Sequence, residues 1–240
     1  MKKIAIVTGA SRGIGRVVAK RLARDSFAVV VNYLSNSSEA EEVVAQIKAN
    51  GGEAIAVKAD VANQTDVERL FEETIEKFGS IDVVVHNSGI MSLSPIGKSD
   101  VELFDKVIST NLRGAFLVLA QAAQHIAAGG RIIAFSSSVL AKSFPSYGPY
   151  IASKAGVEGL VHVLANELRG RNVTVNAVAP GPVDTPLHKN NPKEFLKTLS
   201  PMGTISDVSD IVDAVVYLTE ARQVTGEVLH VDGGAHSGKW

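Results

Sequence analysis

Short apolar runs punctuate the chain, and each leads into a longer stretch whose apolar residues recur at helical spacing. The runs are Lys3–Val7, Ala28–Asn32, Ala54–Lys58, Ile81–Val85, Arg131–Phe135, Asn172–Val178 and Thr225–Asp232. They are rich in Val and Ile with few polar interruptions, as expected of strands buried on both faces. The intervening stretches read as helices. One follows Gly15; Ser38–Asn50 is stopped by Gly51-Gly52, and Thr65–Phe78 by Gly79. Asp100–Ala128 is a long helical region, another helix runs from Pro149 onward, and Asp207 caps the last. Strict strand–helix alternation predicts an α/β fold: one doubly wound domain with a seven-stranded parallel sheet and helices on both faces.

In such folds ligands bind beyond the carboxyl ends of the strands, so the residues that follow each strand matter most. After the first comes Thr8–Gly15, TGASRGIG, and then a helix. Gly9 permits the tight turn; Gly13 and Gly15 allow backbone and helix N-terminus to approach a pyrophosphate. The second strand ends without an acid that would hold ribose hydroxyls. The segment reads Asn32, Tyr33, Ser35, Asn36, and the first acid is Glu39, in the next helix. Arg12 in the glycine turn is then free to pair with a 2′-phosphate, which favours NADP(H) over NAD(H). Asp60 follows the third strand, as either a ligand contact or a local turn acceptor. His86-Asn87-Ser88-Gly89 follows the fourth, and His86 has no ligand-spaced partner, so no metal site is expected.

The fifth strand leads into Ser136–Glu158, SSSVLAKSFPSYGPYIASKAGVE. Tyr150 and Lys154 stand at i, i+4 on the helix expected there and share a face. An ammonium beside a phenol favours the phenolate, so the Tyr150 pKa is expected to fall toward neutral. Ser137 supplies a hydroxyl for the same substrate oxygen. A tuned phenol that exchanges a proton with a carbonyl or alcohol oxygen is the equipment of a carbonyl/alcohol oxidoreductase. Asn111, inside an apolar helix, either bonds local carbonyls and bends it or orders water near the site. The sixth strand is expected to stop before Ala179-Pro180-Gly181-Pro182, too rigid for strand or helix. Thr185–Ser206, with Leu187, Phe195, Leu196, Leu199 and Met202, reads as a lid with an apolar underside or as a short amphipathic surface helix. Met91, Leu93, Leu140 and Phe144 are expected as pocket walls.

The 240 residues carry a net charge of −1, giving no bulk pull toward nucleic acid or membrane. With no cysteine, disulfides, thiol catalysis and Cys-ligated metals are excluded. The N-terminal apolar run is too short for a signal peptide, and no stretch reaches membrane-span length, so a cytoplasmic protein is expected.

The ordered motifs resemble those of the short-chain dehydrogenase/reductase family over nearly the whole chain. TGASRGIG is similar to its TGxxxGxG cofactor loop, His86–Gly89 to its NNAG segment, and PGPVDT and VTGEVLHVDGG to its nicotinamide-side stretch and closing strand. His86 and Ser88 depart from NNAG. The resemblance implies a Rossmann-type fold and an Asn111, Ser137, Tyr150, Lys154 tetrad. In it Tyr150 is the general acid/base, Lys154 lowers its pKa and holds the ribose, Ser137 polarises the substrate and Asn111 supports a water. It implies cofactor contacts from Gly9, Ser11, Arg12, Gly13, Ile14 and Gly15, from Asn32, Tyr33 and Ser35, and from Asp60 and Val61 at the adenine. Asn87, Ser88 and Gly89, Pro180, Gly181, Val183 and Thr185 complete the set. It further implies a small-molecule carbonyl or alcohol substrate and a homotetramer. Acyl-carrier-protein reductases of the family often present basic residues before the fifth strand; here that loop is AAGG, leaving Arg171 as one basic contact.

Overall fold

The computed structural model describes residues 2–185 and 192–237. The elements alternate as β1 (Ile4–Val7), α1 (Gly13–Arg24), β2 (Ala28–Tyr33), α2 (Ser37–Ala49), β3 (Glu53–Lys58), α3 (Gln64–Phe78) and β4 (Val83–His86). There follow α4 (Val101–Ile108), α5 (Gly114–His125), β5 (Arg131–Phe135), α6 (Gly148–Glu167), β6 (Thr174–Pro180), α7 (Lys193–Lys197), α8 (Val208–Glu220) and β7 (Val228–Val231). All strand pairs are parallel, in the order β3-β2-β1-β4-β5-β6-β7. The order reverses between β1 and β4, which opens a crevice at their carboxyl ends.

Alternating strand residues face two separate cores. Val7, Val31, Val85 and Ile133 pack with α1, α2 and α8 on one face. Ile6, Val30, Val84 and Ile132 pack with α3, α5 and α6 on the other. Helix ends are set by local chemistry. Asn36 and Asn63 cap α2 and α3 by accepting from the third backbone N–H, Gly79 ends α3 at φ +84°, and Asp207 and Asp210 form a capping box on α8.

Three expectations need correction, and a fourth had two readings. The long helical region is interrupted: a π turn, Ser109–Arg113, joins α4 to α5. Strand β4 starts at Val83, because the Asp82 carboxylate takes the Ile4 N–H at 2.8 Å in place of a ladder carbonyl. β6 begins at Thr174, after Asn172 in the left-handed region at φ +57°, and runs through Pro180. A proline fits there because β5 ends opposite Val178, so Pro180 pairs only with Val231 of β7. The segment before α8 carries one short helix, α7, which buries Leu196 and leaves Phe195 and Met202 exposed; Leu187 lies outside the described residues.

Candidate active site

A cavity of about 900 Å³ runs along the carboxyl ends of the strands, from the loop after β2 to the start of α6. Every residue nominated from sequence for the cofactor or the chemistry lines it, except Gly15 and Asn111. Of the expected pocket walls, Met91 and Phe144 line it and Leu93 and Leu140 do not.

The glycine turn folds as its spacing implies. Gly9 and Gly13 have φ of +60° and +57°. Gly15 is required for a different reason: a Cβ there would lie 2.5 Å from both Asn87 Nδ2 and Gly9 O. Two asparagines hold this turn. Asn87 Nδ2 donates to Thr8 O and Gly9 O, each at 3.1 Å. Asn32, expected as a cofactor contact, is buried; its Oδ1 accepts from Gly9 N and its Nδ2 donates to Val57 O and Ala59 O. Its amide is therefore spent on backbone, tying β1, β2 and β3 together beneath the glycine turn. Asp60 accepts from Ala62 N, as the local turn reading expects, and it lines the cavity.

His86 completes the same stitching. Thr8 Oγ1 accepts from the N–H of Asn87 and of Ser88, each at 3.1 Å. With both lone pairs used, its proton goes to His86 Nδ1 at 3.2 Å. The imidazole is then the Nε2–H tautomer, and Nε2 is buried without a partner among the described residues. Burial, with the charge of Lys154 adding to it, holds His86 down at about 3 from 6.5. Between those values the unfolded chain binds a proton that the folded chain refuses, so stability falls as pH drops through that window. His86→Asn keeps an acceptor for Thr8 and removes this proton linkage. In urea unfolding, the stability lost between pH 7 and pH 5 should shrink by about 2 kcal/mol against the wild type. An unchanged loss would contradict the buried, neutral imidazole.

At the other end, α6 carries Tyr150 and Lys154 into the cavity, both buried. Ser137 lies beside the Tyr150 side chain, and its Oγ accepts from Val139 N at 3.4 Å. Lys154 Nζ stands 5.9 Å from the Tyr150 ring centroid and donates to Phe135 O at 2.7 Å. The expected acidified phenol is not what results. Burial pushes Tyr150 up to about 12, Ser137 draws it back, and Tyr147 adds to the rise. Burial also brings Lys154 down to about 8. Desolvation dominates, and the Lys154 ammonium donates to a carbonyl and not to the phenol oxygen.

Asn111 sits in the π turn and spans to another segment. Its Oδ1 accepts from Ile90 N at 2.8 Å, and its Nδ2 donates to Ile90 O and to Ser153 Oγ. A Cβ on Gly89 would lie 3.3 Å from Asn111 Oδ1 and 3.5 Å from Lys154 Nζ, so the loop after β4 passes tightly between them. Sequence reasoning missed Tyr147, which lines the cavity edge-to-face with Phe144 at 5.7 Å and with Tyr150 at 6.5 Å. The i, i+3 spacing of Phe144 and Tyr147 was the available signal.

A family model described as enoyl-(acyl carrier protein) reductase matches residues 9–236. A short-chain dehydrogenase from Burkholderia cenocepacia J2315, solved in complex with NADP, superposes with a TM-score of 0.91 at 35% identity, over 97% of both chains. The chain belongs to the short-chain dehydrogenase/reductase family. Among curated family relatives, it is 39% identical to a Staphylococcus aureus 3-oxoacyl-[acyl-carrier-protein] reductase, FabG, over 98% of this chain and 99% of that protein. It is 37% identical to a Pyricularia oryzae tetrahydroxynaphthalene reductase, over 97% of this chain and 89% of that one. In this chain the glycine turn and Tyr150 line the same cavity.

Proposed function

We propose that the chain is an NADP(H)-dependent oxidoreductase that interconverts a small-molecule ketone or aldehyde and an alcohol. The observation that carries this reading is Tyr150, which shares with Ser137 and Lys154 the cavity that begins at the glycine turn, with Lys154 beside its ring. A nicotinamide bound there supplies or accepts the hydride. Gly9, Ser11, Gly13 and Ile14 would hold its pyrophosphate, Asp60 and Val61 its adenine, Lys154 its ribose, and Pro180, Gly181, Val183 and Thr185 its nicotinamide end. The close approach at Gly9 and Gly15 fits a group that needs bare backbone.

In reduction, Tyr150 gives its phenolic proton to the substrate oxygen as negative charge develops there. A phenol held at about 12 is fully protonated at neutral pH, and an alkoxide is the stronger base, so the transfer runs downhill. Ser137 donates to the same oxygen and orients it. The phenolate that remains is stabilised by Lys154, whose pKa of about 8 leaves it mostly cationic at neutral pH. Asn111 positions the loop of Ile90 beside these groups.

Preference for NADP(H) rests on Arg12, exposed at the cavity edge with no partner among the described residues, and on β2 ending without an acid. NADPH should be oxidised by at least one member of a ketone and aldehyde panel, and should bind more tightly than NADH. Arg12→Ala should weaken NADPH roughly ten-fold and NADH little. Fluorescence titration that finds equal affinities would remove the preference. Binding without turnover of any substrate would point to a dinucleotide-binding regulator.

Similarity to the S. aureus FabG supports a second reading, reduction of a 3-oxoacyl group on a carrier protein. It ranks below a free substrate because Arg171 is already used: its guanidinium donates to Ala123 O and Ile126 O at the end of α5. Faster turnover of a carrier-bound acyl group than of free ketones would reverse the ranking. Exposed Val101, Phe104 and Phe116 on α4 and α5, and Val163 on α6, support a homotetramer packed through these helices. Leu196, which α7 buries, and Leu199 line the cavity and support residues 192–206 as part of a substrate lid. Among the described residues no helix is long and apolar enough to cross a membrane.

A further inference from the structure

We propose that Glu39 is a specificity-determining residue: its carboxylate opposes the 2′-phosphate of NADP(H) and so limits the preference that Arg12 creates. The inference rests on the dinucleotide reading above and deepens it at the adenosine end.

The rim after β2 is built by Tyr33, Leu34, Ser35 and Asn36, and Glu39 lines the same cavity from the first turn of α2. Asn36 Oδ1 accepts from Glu39 N and from Ser38 Oγ, which fixes the backbone that presents the side chain. The carboxylate makes no hydrogen bond or ion pair among the described residues, and its Oε2 is buried without a partner. The basic side chain one turn into α1 does not neutralise it, since Arg16 is held by Glu42 at 2.6 Å. Arg12, also unpaired, borders the same cavity. Arg12 and Glu39 thus face this end of the cavity without side-chain partners among the described residues, while Asp60 nearby is bonded to Ala62 N.

Three effects then act on a bound nucleotide. Arg12 attracts a 2′-phosphate. Glu39 repels it. Glu39 also offsets the positive end of the α2 dipole, which would otherwise favour an anion at that position. A ribose 2′-hydroxyl suffers no such repulsion and can donate to a carboxylate oxygen. Like charges on one cavity wall, at an effective dielectric between those of protein and water, change affinity by a factor of about 3 to 10.

Isothermal titration of the wild type, Glu39→Gln and Glu39→Ser with NADPH, NADH, 2′,5′-ADP and 5′-AMP tests this. Both variants should bind NADPH and 2′,5′-ADP about 3 to 10 times more tightly than the wild type, with NADH and 5′-AMP within about two-fold. The gain should shrink in high salt, as expected of a screened charge effect. Glu41→Gln, an exposed acid on the same helix that does not line the cavity, should leave all four affinities unchanged. A purely structural role at the helix start would lower thermal stability without moving the NADPH/NADH ratio. An unchanged ratio in both Glu39 variants, with the wild type binding dinucleotide, overturns the inference and leaves the proposed function standing. A wild type that binds neither NADPH nor NADH overturns both.

Discussion

Tyr150→Phe should lower carbonyl reduction by at least about a thousand-fold while NADPH affinity stays within about two-fold. The substitution removes one oxygen and keeps the ring, so the buried packing with Tyr147 and the start of α6 is preserved. What is lost is the phenolic proton beside Ser137. No neighbour can replace it: Tyr147 lacks a lysine one turn on, because Ile151 stands there. Lys154 is turned to the Phe135 carbonyl. A rate loss confined to turnover, with binding intact, is the mark of a group that acts only as the reaction proceeds. Single-turnover rates and fluorescence titration of the same preparation separate the two. Turnover near the wild-type rate would remove Tyr150 from the chemistry.

Gly15→Ala should be the most damaging single methyl group in the chain's nucleotide end. The added carbon would meet Asn87 Nδ2 and Gly9 O at 2.5 Å, and Ala10 Cα at 3.1 Å. Two of these three are backbone atoms, and the third is an amide already bonded to Thr8 O and Gly9 O. Relief requires α1 to withdraw from the β1 turn or Asn87 to release it. Either path should cost about 1–3 kcal/mol in stability and weaken NADPH by more than about a hundred-fold. Gly13→Ala is the informative comparison. Nothing lies within 4 Å of a Cβ there, and the only penalty is its φ of +57°. It should cost roughly 1–2 kcal/mol and leave dinucleotide affinity within about ten-fold. Chemical denaturation and titration of both variants would show the contrast; equal effects on binding would mean that the crowding at Gly15 does not shape the pocket.

Much of this was readable before any coordinates. Parallel strands buried on both faces have to be runs of Val and Ile, so all seven could be found, with errors at their ends. Those errors have local causes that periodicity does not carry: the Asp82 carboxylate substitutes for a ladder acceptor, and Pro180 is tolerated where β6 outruns β5. The candidate site was readable because its residues follow strand ends. The partners of polar side chains were not. Asn32, His86 and Arg171 looked like ligand or partner contacts, or like nothing, and each is engaged by backbone or by Thr8. Spacing placed Lys154 near Tyr150, but only burial decides which way the phenol's pKa moves. The break between α4 and α5 was hidden because apolar periodicity continues across it.

That break has a consequence for how the gene can vary. A π turn is an α-helix with one residue to spare, so loss of a single codon between Ser109 and Arg113 would close it to ordinary helix. The side chains of α5 beyond it would keep their facing, with Ala115 over the sheet and Phe116 at the surface. What would be displaced is Asn111, and with it the bonds to Ile90 and Ser153. Loss of one residue here should therefore spare the fold and be felt at the site.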